Sequence, residues 1–190
     1  METLNLKFVG VMPILMHNGR MSDPCDPMAI ALSKINKTRG KTESTHAEIR
    51  RVEWMGAIYT CPTTGVVGLP SDMILACLIE GSRKSKLGKS ASAGILESRD
   101  FYPLNYDGPR KLDALYDDGR FADTRGVKIM RSRVQRTRPI FRSWSVDVSL
   151  MVDTDVMEVE QVITAAEAAG KLVPLGDFRP RFGRFDVVRA

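Results

Sequence analysis

Residues 144–152 read Trp144-Ser145-Val146-Asp147-Val148-Ser149-Leu150-Met151-Val152. Val146, Val148, Leu150 and Val152 alternate with Ser145, Asp147 and Ser149. A period of two puts the valines and the leucine on one face of a β-strand and the polar residues on the other. This is the clearest strand in the chain. Asp155 and Glu158 follow, capping residues for a helix over 156–169 with Val159, Val162, Ile163 and Ala166 on its inner stripe. Gly170 stands where a left-handed residue would close that helix.

Working outward, Leu4, Leu6 and Phe8 alternate with Asn5 and Lys7, which predicts a first strand over 4–10. Ser71 opens a helix over 71–82 with Met73, Ile74, Cys77 and Leu78 as its apolar face. Val127–Met130 and Arg133–Phe141 read as strand, taken together over about 127–140. Phe185 and Val187 mark a last short strand over 184–188. The order is β-α-β-β-α-β, so the expected class is α+β with a ferredoxin-like core, an antiparallel sheet with both helices on one face. Two stretches lie outside that core, about 17–65 and 87–126, and are expected as large insertions in a single domain spanning 1–190. Inside them, a helix is predicted over 28–37, a second over 46–59 behind a Thr45/Glu48 capping box, and a short one over 112–116.

The chain carries 28 Lys and Arg against 23 Asp and Glu, a formal net charge of +5. The distribution says more than the total. From Arg125 to Arg142 the basic residues are Arg125, Lys128, Arg131, Arg133, Arg136, Arg138 and Arg142, with no acid among them. On an extended strand Arg136, Arg138 and Arg142 share a parity and project from one face. Such a row matches a phosphate backbone in charge and reach. The alternative is a solvated strand paired with the acids near 113–123. A second cluster is Arg83, Lys84, Lys86 and Lys89. Gly88-Lys89-Ser90 invites a phosphate-loop reading, but Arg83 stands where that motif needs its first glycine, and the segment follows a helix rather than a strand.

The third stretch is Leu175-Gly176-Asp177-Phe178-Arg179-Pro180-Arg181-Phe182-Gly183-Arg184-Phe185. Arg179, Arg181 and Arg184 are candidates to hold phosphates, and Phe178 or Phe182 to stack on a base. At least one phenylalanine is expected in the core, with the arginines exposed.

A β-α-β-β-α-β core with a glycine- and arginine-rich loop before its last strand resembles the RAMP superfamily, the RNA-binding backbone and processing subunits of CRISPR effector complexes. The tail is also similar to small phage-encoded proteins. The resemblance implies binding of single-stranded RNA or DNA along a groove by a repeating homo-oligomer, with the 87–126 segment projecting toward nucleic acid and neighbours.

Other chemistry is thinly represented. Cys25, Cys61 and Cys77 are odd in number and widely spaced, and His17 and His46 are the two histidines. Neither set forms a zinc pattern, so no metal is expected. No GxSxG, HExxH or dinucleotide fingerprint occurs, and no cofactor is expected. No leader or spanning segment is legible, which predicts a cytoplasmic protein without a membrane partner.

The expected function is therefore non-catalytic binding of single-stranded nucleic acid through Arg83, Lys84, Lys86, Lys89, Lys128, Arg131, Arg133, Arg136, Arg138, Arg142, Phe178, Arg179, Arg181 and Arg184. Two other readings stand beside it. One is a structural or assembly protein, or an inhibitor that mimics a CRISPR subunit. The other is a metal-independent ribonuclease using His17, which follows the first strand.

Overall fold

The alternation of Leu4, Leu6 and Phe8 is realised in β1 (Glu2–Gly10), where all three side chains are buried. The computed structural model describes residues 1–130 and 132–189. After β1 come β2 (Ile14–Leu15), α1 (Pro27–Asn36), α2 (Glu43–Ala57), β3 (Gly68–Pro70), α3 (Ser71–Arg83), α4 (Gly88–Gly94), β4 (Ile95–Glu97) and β5 (Phe101–Asn105). The chain continues through α5 (Leu112–Asp117), β6 (Ala122–Ile129), β7 (Ser132–Phe141), β8 (Ser145–Val152), α6 (Val159–Leu172) and β9 (Phe185–Arg189). The protein is a mixed α and β structure with antiparallel sheets.

The residues form two compact units. The first comprises 1–15, 60–107 and 141–190; the second comprises 16–59 and 108–140. Of the expected insertions, 17–59 and 108–126 fall in the second unit, while 60–65 and 87–107 belong to the first.

In the first unit the sheet runs β3-β5-β8-β1-β9, with β4 also paired to β8. β1 lies between β8 and β9, with Leu4 opposite Leu150, and Phe8 opposite Val146 on one side and Val187 on the other. Val146, Val148, Leu150 and Val152 are buried, as their alternation demands. The opposite face carries Asn5, Lys7 and Asp147, with Lys7 Nζ 3.9 Å from Asp147.

The second core strand is not the one expected. Among the described residues, 127–129 and 132–140 do not pair with β8. They belong to a hairpin of β6 and β7 in the second unit, Arg125 opposite Arg136 and Lys128 opposite Arg133. The strand paired with β8 is β4 and β5, with Ile95 opposite Val152 and Leu104 opposite Val146. The reason is physical. A strand with arginine at Arg133, Arg136 and Arg138 lacks a continuous apolar face, whereas Ile95, Tyr102 and Leu104 are all buried. The interruption at residues 98–100 and Pro103 hides that alternation from a periodicity reading.

α3 and α6 pack closely because small residues meet. A Cβ on Gly81 would stand 2.4 Å from the Ala165 carbonyl oxygen. α6 begins later than expected: Glu158 is its N-cap, accepting from the chain while Gln161 reciprocates. Gly170 lies inside α6, not beyond it, and a Cβ there would stand 2.1 Å from the Phe185 carbonyl oxygen. α2 is capped by Thr42 with Thr45 at the third position, one turn before the expected box.

Candidate nucleic-acid interface

The first unit ends its sheet in a pinned loop. Gly176 and Gly183 sit at φ 78° and 75°, conformations that favour glycine. A Cβ on Gly183 would fall 1.7 Å from the Leu175 carbonyl oxygen, so the chain closes there only without a side chain. The amide of Leu175 donates to Gly183 O (3.1 Å), that of Asp177 to Leu15 O (2.8 Å), and that of Gly183 to Pro13 O (2.8 Å). Within the loop, Arg181 N and Phe182 N both donate to Phe178 O, at 3.1 and 3.3 Å.

This wiring separates the aromatic residues. Phe182 and Phe185 are buried at 8% and 2% exposure, and Phe185 stacks on Phe8 at 4.4 Å between centroids. Phe178 stays at the surface, 37% exposed, with its ring 6.4 Å from that of Phe182. It holds φ at 59°, a region that costs a side-chain-bearing residue on the order of 1–2 kcal/mol. Arg179, Arg181 and Arg184 are exposed, and the Arg181 guanidinium sits 5.8 Å from the Phe182 centroid. Arg142, also exposed, lies just before β8, which starts at this same end of the sheet because Ser145 pairs with Val9 and Phe185 with Gly10.

The basic cluster at Arg83, Lys84, Lys86 and Lys89 is exposed but elsewhere. It joins α3 to α4, and the amide of Asp153 donates to Gly94 O, which sets α4 beside the finishing end of β8. The eight residues of β8 therefore separate this cluster from the loop, roughly 24 Å at about 3.4 Å per residue. Arg83 is also paired with Glu80. The two stretches do not converge on one surface.

The second unit treats the arginine row differently. Arg136 and Arg138 share a face of β7, but Arg142 follows the end of that strand, so strand parity does not reach it. Arg136 Nη1 lies 2.5 Å from Glu53 Oε1, and Glu53 is buried at 6% exposure. Arg125 is held by Asp123. Lys128 and Arg133 face each other across the hairpin and are exposed. Arg131 lies outside the described residues. The acids of α5 are engaged by Arg51, 2.5 Å from Asp113 and 2.9 Å from Asp117.

His17 is exposed, and its carbonyl accepts from Tyr59 Oη at 2.7 Å. Among the described residues, no group of three or more His, Cys, Asp or Glu is placed to hold a metal, and no helix is long and apolar enough to cross a membrane.

One reactive group escaped the sequence reading. Cys61 Sγ lies 3.2 Å from Thr63 Oγ1, and hydrogen bonds from Thr63 and then Thr64 lower its thiol to about 6. The signal was local: two threonines two and three residues beyond the cysteine. Cys77 is the opposite case, packed in α3 as expected, its thiol pushed up to about 12 by burial.

No protein-family model matches the chain, and no curated protein matches it.

Proposed function

We propose that the protein is a non-catalytic, RAMP-like binder of single-stranded nucleic acid, and that the loop end of the first unit makes the primary contact. The observation that carries this reading is Phe178, held outward in a strained conformation on a pinned turn and flanked by exposed Arg179 and Arg181. A surface aromatic on a pinned turn, next in sequence to exposed arginines, suits a stacked base between phosphates, and stacking is worth roughly 1–3 kcal/mol per base. A single strand is favoured because its bases are free to leave the helical stack.

The first unit supports a ferredoxin-like arrangement once β4 and β5 together are taken as the second strand. The spatial order is then last, first, third, second, with α3 and α6 as the two helices. The outer sheet face, with Asn5, Lys7, Asp147 and the half-buried Phe101, offers a strand no clear positive field, which favours the loop over the sheet. β9 ends the sheet order, and Val188 on it is half exposed. That edge is consistent with copies assembling side by side along a ligand, in the cytoplasm. Gel-shift titrations with single- and double-stranded RNA and DNA test the reading, and preference for a single strand is expected.

A further inference from the structure

No acid interrupts the chain between Glu80 and Glu97, while Arg83, Lys84, Lys86 and Lys89 fall inside that span. In the first unit this stretch borders a cavity of about 500 Å³, within the range of small-ligand sites. Ile79 and Arg83 of α3, Lys86 of the connecting turn, and Gly88, Lys89 and Ser92 of α4 line it. No carboxylate and no aromatic ring stands among those lining residues.

The turn holds its cations in place. The amide of Lys86 donates to Arg83 O (3.1 Å) and that of Leu87 to Ser82 O (3.0 Å), the pair of bonds that closes a helix around a left-handed residue. That residue is usually glycine, yet here it is Lys86, at φ 63°. A side chain kept in a disfavoured backbone conformation points to a use for it. A Cβ on Gly88 would stand 2.5 Å from Arg83 Cγ, so the bare position lets the Arg83 stem lie across the junction. Ser92 follows Lys89 by one turn and shares its side of α4. Arg83 pairs with Glu80 and is not counted as a ligand. Lys86 and Lys89 are exposed and, among the described residues, make no ion pair. Glu160 lines a different cavity, with Ser82 and Ser85, and pairs with Arg189 at 2.9 Å. Two ammonium groups and a hydroxyl bordering one space suit an anion of high charge density. Without a ring to stack on a base, the space favours phosphate over nucleoside.

We propose that this cavity binds an oligophosphate, a short chain of linked phosphates such as pyrophosphate or triphosphate. Lys86 and Lys89 hold its oxygens, and the Ser92 hydroxyl donates to one of them. The chain is either free or the tail of a nucleotide whose base lies outside the cavity. This assignment does not depend on the loop around Phe178.

Calorimetric titration of the full chain with orthophosphate, pyrophosphate, triphosphate and ATP, in buffer free of phosphate and divalent cations, tests it. Lys86→Gly removes one cation at a position that glycine accepts, and Lys89→Ala removes the other. Thermal melting checks folding, and Lys86→Gly should melt no lower than wild type. The double variant Arg179→Ala/Arg181→Ala is the control for the loop. Saturable binding of pyrophosphate or triphosphate is expected, at least about tenfold tighter than orthophosphate and at least about fivefold weaker in each lysine variant. The loop control should bind like wild type. ATP at least as tight as triphosphate identifies a nucleotide tail as the source, and weaker ATP identifies the free chain. Oligophosphate binding no tighter than orthophosphate overturns the proposal, as does undiminished binding in a folded lysine variant. Binding lost in the loop control and kept in the lysine variants overturns it as well, by moving the anion to the loop. If neither lysine variant folds, the wild-type and loop-control titrations decide.

Discussion

The guanidinium of Arg136 and the carboxylate of Glu53 form an ion pair at 2.5 Å across 83 residues of sequence, with the carboxylate buried. A second bond, from the Thr137 amide at 2.9 Å, completes the carboxylate. This pair changes what Arg136 is for. It holds the β6–β7 hairpin to α2, so it is a poor candidate for a freely offered phosphate contact.

Arg136→Ala is expected to destabilise the protein by about 2–3 kcal/mol. Removing one partner of a buried pair leaves a charge without compensation, while the partial exposure of Arg136, 34%, and the surviving Thr137 bond keep the loss toward the lower end. Urea unfolding measures it. Glu53→Gln should cost less than Arg136→Ala, because it leaves no buried charge and keeps a group able to accept from the Thr137 amide.

Phe178→Gly separates stability from binding. Glycine adopts φ near 59° without penalty, so the variant should gain up to about 1 kcal/mol in urea unfolding. It also removes the exposed ring. Affinity for a single strand should fall about tenfold, the low to middle range for one lost stacking contact. A variant more stable yet weaker in binding is the expected pairing. Equal affinity would assign Phe178 to packing against Phe182.

Cys61 should be the most readily alkylated of the buried or half-buried thiols. Its thiol is lowered to about 6, so the thiolate dominates above that pH and the iodoacetamide rate should fall as pH drops through about 6. Cys77, pushed up to about 12 and buried, should stay unmodified in the folded protein. Site-resolved mass spectrometry across pH 5–8 (about the range in which an activated thiol titrates) measures both.

The elements legible in the sequence were those whose pattern is complete within a few residues. β1, β8 and the apolar stripe of α6 follow from alternation or from helical spacing alone. Gly176 and Gly183, at either end of the arginine-rich stretch, stand where a side chain has no room. The second core strand was not legible, because residues 98–100 split it and Pro103 sits in its middle, while the arginine-rich β7 offered a longer uninterrupted run. The Glu53–Arg136 pair could not be read at all, since nothing local links α2 to the hairpin. The separation of the 83–89 cluster from the loop is likewise a property of the sheet, fixed by which end of β8 each connection reaches.

The loop around Phe178, and not the basic cluster near α4, is expected to meet the polyanion. The most direct measurement is affinity for a single strand against salt, for wild type, Arg179→Ala, Arg181→Ala and Lys89→Ala. Each loop arginine that contacts a phosphate should lower the log–log slope by about 0.7 when removed, and Lys89→Ala should leave it unchanged. Affinity that ignores salt, or a slope reduced by Lys89→Ala and by neither loop variant, would contradict the account.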